Sequence, residues 1–515
     1  MKRILNNVVW ITLVAAPLCA CSGYLQDRSG DLLVPEKVEE YQAVLFGEGY
    51  PATFTQDAAF IDLMTDDAEV STKVNANSTQ ADGDDGVYLP MGRGAFSWAQ
   101  DIEYHDPGCG DFYLNRYSNI MACNIIIENE ETMMGDPLKV NATVAQAHAL
   151  RALNYFYLIN LYAKPYDPNT ASGDPGVALR TQSRVKRDEP KRATVAQVYQ
   201  LINQDLDRSI ELFEKAEQSR NKNLFSLQAA WLLKSRIALF LEKWDEAIKY
   251  GEKLSEDDYN LCDLSGKTAE EMNADKNKNY SFISTDNPEV VFFFSKSAAN
   301  QGNRYMDNAA LIKGAAYVPS QSKEGDLINS YGEGDKRLYA FFRQDVIDYD
   351  EDWEMYFEYV DRRHLPCKHY GYGVYSQAFR TSEALLNVAE ALVQRGAQAD
   401  QAKAVELLNL LRSKRIAPEN NEEISSADFT QETLLQFVRD ERRRELCFEE
   451  IHRWTDLRRY GMPRLEHIFY SSAEASPETY VLEQGDVNYT LELPKAELSY
   501  NKQIERTNRR IINQQ

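Results

Sequence analysis

Residues 226–254 read SLQAAWLLKSRIALFLEKWDEAIKYGEKL, and their periodicity decides the architecture. Ala229, Ala230, Leu233, Ile237, Ala238 and Leu241 recur at spacings of three and four, the period of one helix face. The pattern breaks at Lys243-Trp244 and resumes in Asp245-Glu246-Ala247-Ile248-Lys249-Tyr250, so the spacing predicts two helices joined by a short turn. Alanines on the shared face let the pair approach closely. A hairpin of this kind buries its apolar face only by stacking on neighbours, so it predicts others like it.

The rest of the chain supplies them. Residues 383–414 repeat the pattern, with Ala384, Leu385, Val388, Ala389 and Leu392 on a first helix, Gly396 at its end, and Ala404, Leu407, Leu408 and Leu411 on a return helix. Further helices are predicted at 113–130 and 144–162, the latter from Ala145, Ala149, Ala152, Phe156 and Ile159. Thr194-Val195-Ala196-Gln197 fits a capping box, in which the hydroxyl accepts an amide three residues on and the glutamine reaches back. Behind it Val195, Val198, Ile202, Leu206, Ile210 and Phe213 form a stripe worth about 1.5–3 kcal/mol per large buried side chain. Residues 255–378 lack sustained helical period, hold one strong strand candidate at 290–294, and are dense in Tyr, Asp, Asn and Gly, the pattern of a loop-rich insertion. The segment 238–254 resembles the turn and second helix of a tetratricopeptide repeat. A mostly α fold of helical hairpins with a minor-β, loop-rich region is the expectation.

At the amino terminus Lys2 and Arg3 precede an apolar stretch that Asn6 and Asn7 interrupt and Pro17 ends. A membrane-spanning helix needs about 20 consecutive apolar residues, so this stretch reads as a signal peptide over residues 1–20. Leu18-Cys19-Ala20-Cys21 resembles a bacterial lipobox, which predicts cleavage after Ala20 and lipid on Cys21. Each acyl chain would contribute about 0.8 kcal/mol per buried methylene, so several chains on one cysteine hold a water-soluble body at a membrane.

Composition excludes several functions. The 515 residues are 43% hydrophobic and 27% charged, with mean hydropathy −0.53 and no second long apolar run. A net charge of −23 argues against nucleic acid, whose phosphates need clustered Lys and Arg. Of seven cysteines, Cys109, Cys123, Cys262, Cys367 and Cys447 remain beyond Cys19 and Cys21. Their odd number and lack of CxxC spacing predict neither a disulfide framework nor zinc. Asp82-Gly83-Asp84-Asp85-Gly86 and Asp348-Tyr349-Asp350-Glu351-Asp352 offer the oxygens calcium prefers. Neither fits an EF-hand, so solvated acidic loops are expected and calcium would be incidental. There is no GxSxG, HExxH or phosphate-binding loop, and the six histidines lack ligand spacing. Two carboxylates alone could serve a glycosidase, which a sequence cannot exclude.

Near the carboxyl end, Glu441-Arg442-Arg443-Arg444-Glu445-Leu446-Cys447-Phe448-Glu449 is followed by Arg453-Trp454-Thr455-Asp456-Leu457-Arg458-Arg459. This resembles the ERRxELxFEG…RWxDLRR signature of the SusD/RagB family, within about 438–460. Tyr117-Ser118-Asn119-Ile120 with Asn124, the helix at 147–162, residues 194–206 and Leu493-Pro494-Lys495-Ala496-Glu497 with Asn501 resemble further family motifs. The chain departs at Glu450, where the family usually has Gly, at the extra Ile451-His452, and at Lys164-Pro165-Tyr166-Asp167, where many members have Gly-x-Val-Pro. The resemblance implies a SusD-like binding domain over 21–515, with tetratricopeptide-like hairpins in a right-handed superhelical scaffold. It implies a non-catalytic lipoprotein on the cell surface, capping a SusC-type TonB-dependent outer-membrane transporter and delivering glycan or peptide fragments to it. The arginine run suggests an anion site at Arg442–Arg444, but on a helix Arg and Glu at these spacings pair in ion networks, and Trp454 and Leu457 dock the next turn. The structural role is the expectation.

For a glycan, the chemistry favours loop aromatics, which stack on the apolar faces of sugar rings, beside Asp, Asn, Gln and Arg, which bind hydroxyls. Two segments offer this: Trp98, Asp101 and Tyr104 with His105 and Asp106, and Tyr305, Tyr317, Trp353 and Tyr356. With 30 tyrosines in the chain, many must instead fill the core. Capture of oligosaccharide is the first expectation, peptide capture by a RagB-like member the second, and a protein-binding helical scaffold the third. The acidic body disfavours strongly anionic polysaccharides, though a local Arg or Lys can override that within a Debye length of about 8 Å.

Overall fold

The structure is a computed structural model that describes residues 35–72, 88–184, 191–216, 219, 221–272, 282–296, 305–306, 315–344, 348–350, 355–357, 364–366, 375–472, 474–502 and 504–512. The expected signal segment 1–20, Cys21, the acidic stretch 82–86, Glu351, Asp352 and Trp353 lie outside the described residues.

The scaffold helices are α1 (Asp111–Glu128), α2 (Pro137–Tyr162), α3 (Val195–Glu214), α4 (Leu227–Phe240), α5 (Trp244–Gly251), α6 (Thr381–Arg395), α7 (Gln398–Ser413), α8 (Gln431–Leu446) and α9 (His452–Arg459). Each packs on the next from α1 to α9, and α6 also touches α4 and α8. The hairpin of the opening sequence is α4 and α5. Ser226 caps it by accepting the Ala229 amide at 3.2 Å, and Ala229, Ala230, Ala238 and Ala247 are buried on the shared face. A Cβ on Gly251 would lie 2.4 Å from Val388, so glycine lets α5 press against α6. At the end of α6, Gly396 takes the left-handed conformation, φ +84°, and donates to the Leu392 carbonyl, as its place after the apolar run predicts.

Helix α2 starts at Pro137, earlier than the predicted 144. Asp136 accepts the Leu138 amide at 2.9 Å and Pro137 occupies the first turn, where its missing N–H costs nothing. Those first turns are exposed, Leu138 among them, so they carry no apolar period. The capping box of α3 forms as expected, with Thr194 Oγ1 accepting the Gln197 amide at 3.2 Å and Gln197 Oε1 accepting the Thr194 amide at 2.9 Å.

Helix α6 is buried on nearly every side, polar residues included, and arginines satisfy them. Arg236 of α4 is bidentate to Glu383 at 2.6 Å, Arg442 of α8 donates to Asn387 at 2.7 Å, and Arg459 of α9 clasps Glu390 at 2.6 and 2.7 Å. A second buried network joins Arg337, Arg380 and Arg415 to Glu289, Glu445 and Glu449. Buried charges are tolerated when paired and hydrogen-bonded in this way.

The described strands form six two-stranded antiparallel ladders. Val290–Lys296, where one strand was expected, pairs with Tyr375–Arg380 and buries Phe292 and Phe294 in a stack, ring centroids 5.6 Å apart. Between them Ala316–Pro319 and several three-residue strands make the middle region richer in β structure than its sequence indicates. Three residues are too few for a period of two to register. Among the described residues no helix is long and apolar enough to cross a membrane.

Candidate functional site

Three aromatics expected at the ligand surface belong to the core instead. Trp98, Tyr305 and Tyr317 are each 0% exposed. The Trp98 ring stacks on His467 with centroids 4.2 Å apart, Phe96 stacks at the same distance, and the indole Nε1 donates to the Met64 carbonyl at 2.8 Å. Tyr317 donates its hydroxyl to the Leu89 carbonyl at 2.7 Å. A large ring with its one polar group satisfied is held more strongly inside than at a surface. Asp106 is also buried and accepts the Gly108 amide at 3.1 Å. Tyr356 lies in the strand Met355–Phe357, but its side chain is outside the described residues.

Of the remaining candidates, Asp101 lines a cleft of about 320 Å³, and Tyr104 belongs to the short helix beside it without lining it. One wall is the short helix Ile102–His105 with the turn after it; the other is the carboxyl-terminal segment, including the helix Lys495–Tyr500. Phe60, Ile102, Tyr162, Leu491 and Leu493 make an apolar floor. Asp101 caps its helix by accepting the Tyr104 amide at 2.9 Å, and its other oxygen lies 3.0 Å from Lys495 Nζ. Tyr104 is 75% exposed, beside His105, with Lys495 Nζ 5.7 Å from its ring centroid. Tyr500, at the end of the helix that Lys495 starts, is 87% exposed. Two uncovered tyrosines thus belong to the helices that flank the cleft, though neither lines it.

The polar lining is mostly committed. Glu103 accepts the Lys495 amide at 2.9 Å. Glu492 accepts the amides of Leu493, Thr507 and Asn508 and lies 3.5 Å from Arg506. Arg509 is buried, and its Nη2 donates only to carbonyls, of Trp98 at 3.2 Å and Asn488 at 3.3 Å. Its Nε has no partner. Burial lowers its pKa to about 10, against the distant pull of Glu492, Asp486 and Asp101.

Sequence reasoning missed Glu492, Lys495, Tyr500, Arg506 and Arg509. Leu493–Glu497 drew notice as a motif, but nothing local to it signals that it packs against residues 100–110. The arginines of the signature do not converge: Arg442 enters α6, Arg443 donates to Asp67 at 2.6 Å, and Arg444 pairs with Glu441 at 2.8 Å. Trp454 is buried, stacked on Tyr489 with centroids 4.9 Å apart. Among the described residues, Glu383, Glu450 and His452 lie close enough to hold a metal. Arg236 already takes all four of those carboxylate oxygens at 2.6–2.8 Å, so the cation this trio fits is a guanidinium.

Two family models match the chain. One, described as the SusD family, covers residues 355–513. The other, described as starch-binding associating with outer membrane, covers residues 26–239. No curated protein matches. Among solved structures, a SusD superfamily protein of Bacteroides thetaiotaomicron VPI-5482 is similar with a TM-score of 0.66 and 19% identity, over 92% of this chain and 100% of its own. One from Bacteroides vulgatus ATCC 8482 has a TM-score of 0.65 and 20% identity, over 92% and 99%. A SusD-like carbohydrate binding protein from the same organism has a TM-score of 0.64 and 18% identity, over 92% and 98%. At these identities the likeness establishes the fold.

Proposed function

Because this chain belongs to the SusD/RagB family, we propose that it is a non-catalytic binding protein that captures oligosaccharide in the cleft flanked by the helices that carry Tyr104 and Tyr500. In this reading residues 1–20 are removed, lipid on Cys21 tethers residues 21–515 to the outer membrane at the cell surface, and the captured sugar passes to a SusC-type TonB-dependent transporter. The carrying observation is a cleft with a polar lining whose two flanking helices each carry an exposed tyrosine. An aromatic contact of this kind contributes about 0.5–1.5 kcal/mol beyond the area it buries. The cleft is at the small end of ligand sites, about 300–1,000 Å³, so it suits the end of an oligosaccharide better than a long stretch of polymer. The description of the amino-terminal family model as starch-binding, and a carbohydrate-binding neighbour of the same fold, favour glycan over peptide.

The test is calorimetry against a panel of neutral and acidic oligosaccharides. Tyr104→Ala and Tyr500→Ala each weaken binding by roughly threefold to tenfold, and more together. Unchanged affinity in the double variant refutes the site, and hydrolysis of the bound sugar refutes the binding-protein reading.

A further inference from the structure

Three buried arginines outside the ion networks have their pKa lowered to about 10 by burial: Arg116, Arg458 and Arg509. Arg116 reaches Asp57 at 3.4 Å and lies over the rings of Phe54 and Phe112. Arg458 is closed in by the carbonyls of Asn160 and Ala163. Of the three, Arg509 alone lines the cleft. It is 3% exposed, its Nε is without a partner, and no carboxylate among the described residues pairs with it.

The formal charge of the lining is balanced, with Asp101, Glu103 and Glu492 against Lys495, Arg506 and Arg509. Hydrogen bonding is not. The carboxylates are already served by backbone amides and by Lys495 and Arg506. What is left over is donor capacity and positive charge at Arg509. A sugar hydroxyl can accept a hydrogen bond there but cannot compensate a buried charge. A carboxylate does both, through a charge-assisted hydrogen bond to the guanidinium.

We propose that the cleft recognises an oligosaccharide bearing a carboxylate, as on a uronic or sialic acid residue, with that group seated against Arg509. This rests on the glycan reading above and narrows it. The net charge of −23 restricts the ligand further, to sparsely charged chains rather than dense polyuronides, because the long-range field repels and only the local guanidinium attracts.

The test is calorimetry on the full mature chain in detergent, with sialyllactose and glucuronosylxylotriose each compared with its neutral counterpart, lactose and xylotriose. The acidic member of at least one pair is expected to bind tenfold or more tightly than the neutral one, a charge-assisted contact being worth roughly that factor. Arg509→Gln, which removes the charge, should lower the acidic affinity about tenfold more than the neutral one. The comparison of ligands on unaltered protein keeps the test decisive if the variant folds poorly. Neutral sugars that bind through Tyr104 as tightly as acidic ones overturn the carboxylate site and leave the glycan reading standing. If no sugar binds, the glycan reading falls and takes this one with it. If only a peptide with a free carboxyl terminus binds, and not its amide, the ligand class proposed here is wrong.

Discussion

Glu450 stands where the family usually has glycine, and its backbone is left-handed, with φ +48°. Such a conformation costs a side-chain-bearing residue about 1–2 kcal/mol. The contacts of the side chain offset that cost. Its carboxylate accepts two bonds from Arg236 at 2.8 Å and one from the Tyr157 hydroxyl at 2.5 Å, with His452 Nε2 at 3.3 Å. Burial would raise its pKa, yet Arg236 and His452 hold it well below the usual carboxylate range. Removing one partner of a buried ion pair costs about 3–5 kcal/mol. Arg236 keeps its bidentate contact with Glu383, so the low end applies, and the orphaned Tyr157 hydroxyl adds about 1 kcal/mol. Glu450→Ala should therefore destabilise by about 4 kcal/mol. Glu450→Gly loses the same contacts but relieves the backbone, less the entropy of a freer unfolded chain, and should cost about 3 kcal/mol. Urea denaturation of the three proteins measures both terms. A glycine variant as stable as the parent would refute the ion-pair argument, and an alanine variant matching the glycine variant would refute the strain argument.

Gly396→Ala places a Cβ on a residue at φ +84° and should cost about 1–2 kcal/mol, read as a lower urea midpoint; an unchanged midpoint would show that the α6 cap tolerates side chains. The buried carboxylates predict acid lability. Burial would raise Glu441, but Arg337 and Arg444 hold it at about 2, and Glu445 and Asp456 are lowered in the same direction by their arginines. Folded pKa values below the unfolded ones mean stability that is full above about pH 4.5 and is lost as pH falls toward 2, about 3 kcal/mol for Glu441 alone. A urea midpoint flat between pH 5 and pH 3 would contradict this. Cys21→Ala should leave the protein in the soluble fraction of cells, and its recovery with outer membranes would count against the lipid anchor.

The helical hairpins were legible because a helix face is a local object. The alanines and leucines of α4 and α6 lie within a few turns of one another, and neither the Thr194 box nor the glycine after α6 needs a distant partner. Amino-acid order alone therefore indicated the hairpins α4–α5 and α6–α7 and that they stack, but not the helices Val38–Val44, Phe54–Asp62 and Tyr88–Phe96. It could not say which of the many tyrosines stay uncovered. Tyr317 is buried because Leu89 and Phe96 come to it, whereas Tyr104, met by its neighbour His105 and by Lys495, stays open. The cleft is likewise a tertiary product, since residues near 100 and near 500 share no periodicity and meet only when the carboxyl-terminal segment packs back on the frame. Arg509 carries no mark in the sequence that separates it from the paired arginines of the signature. Its unmet charge comes from what the folded chain leaves beside it, because desolvation and pairing depend on neighbours that the order of residues does not name.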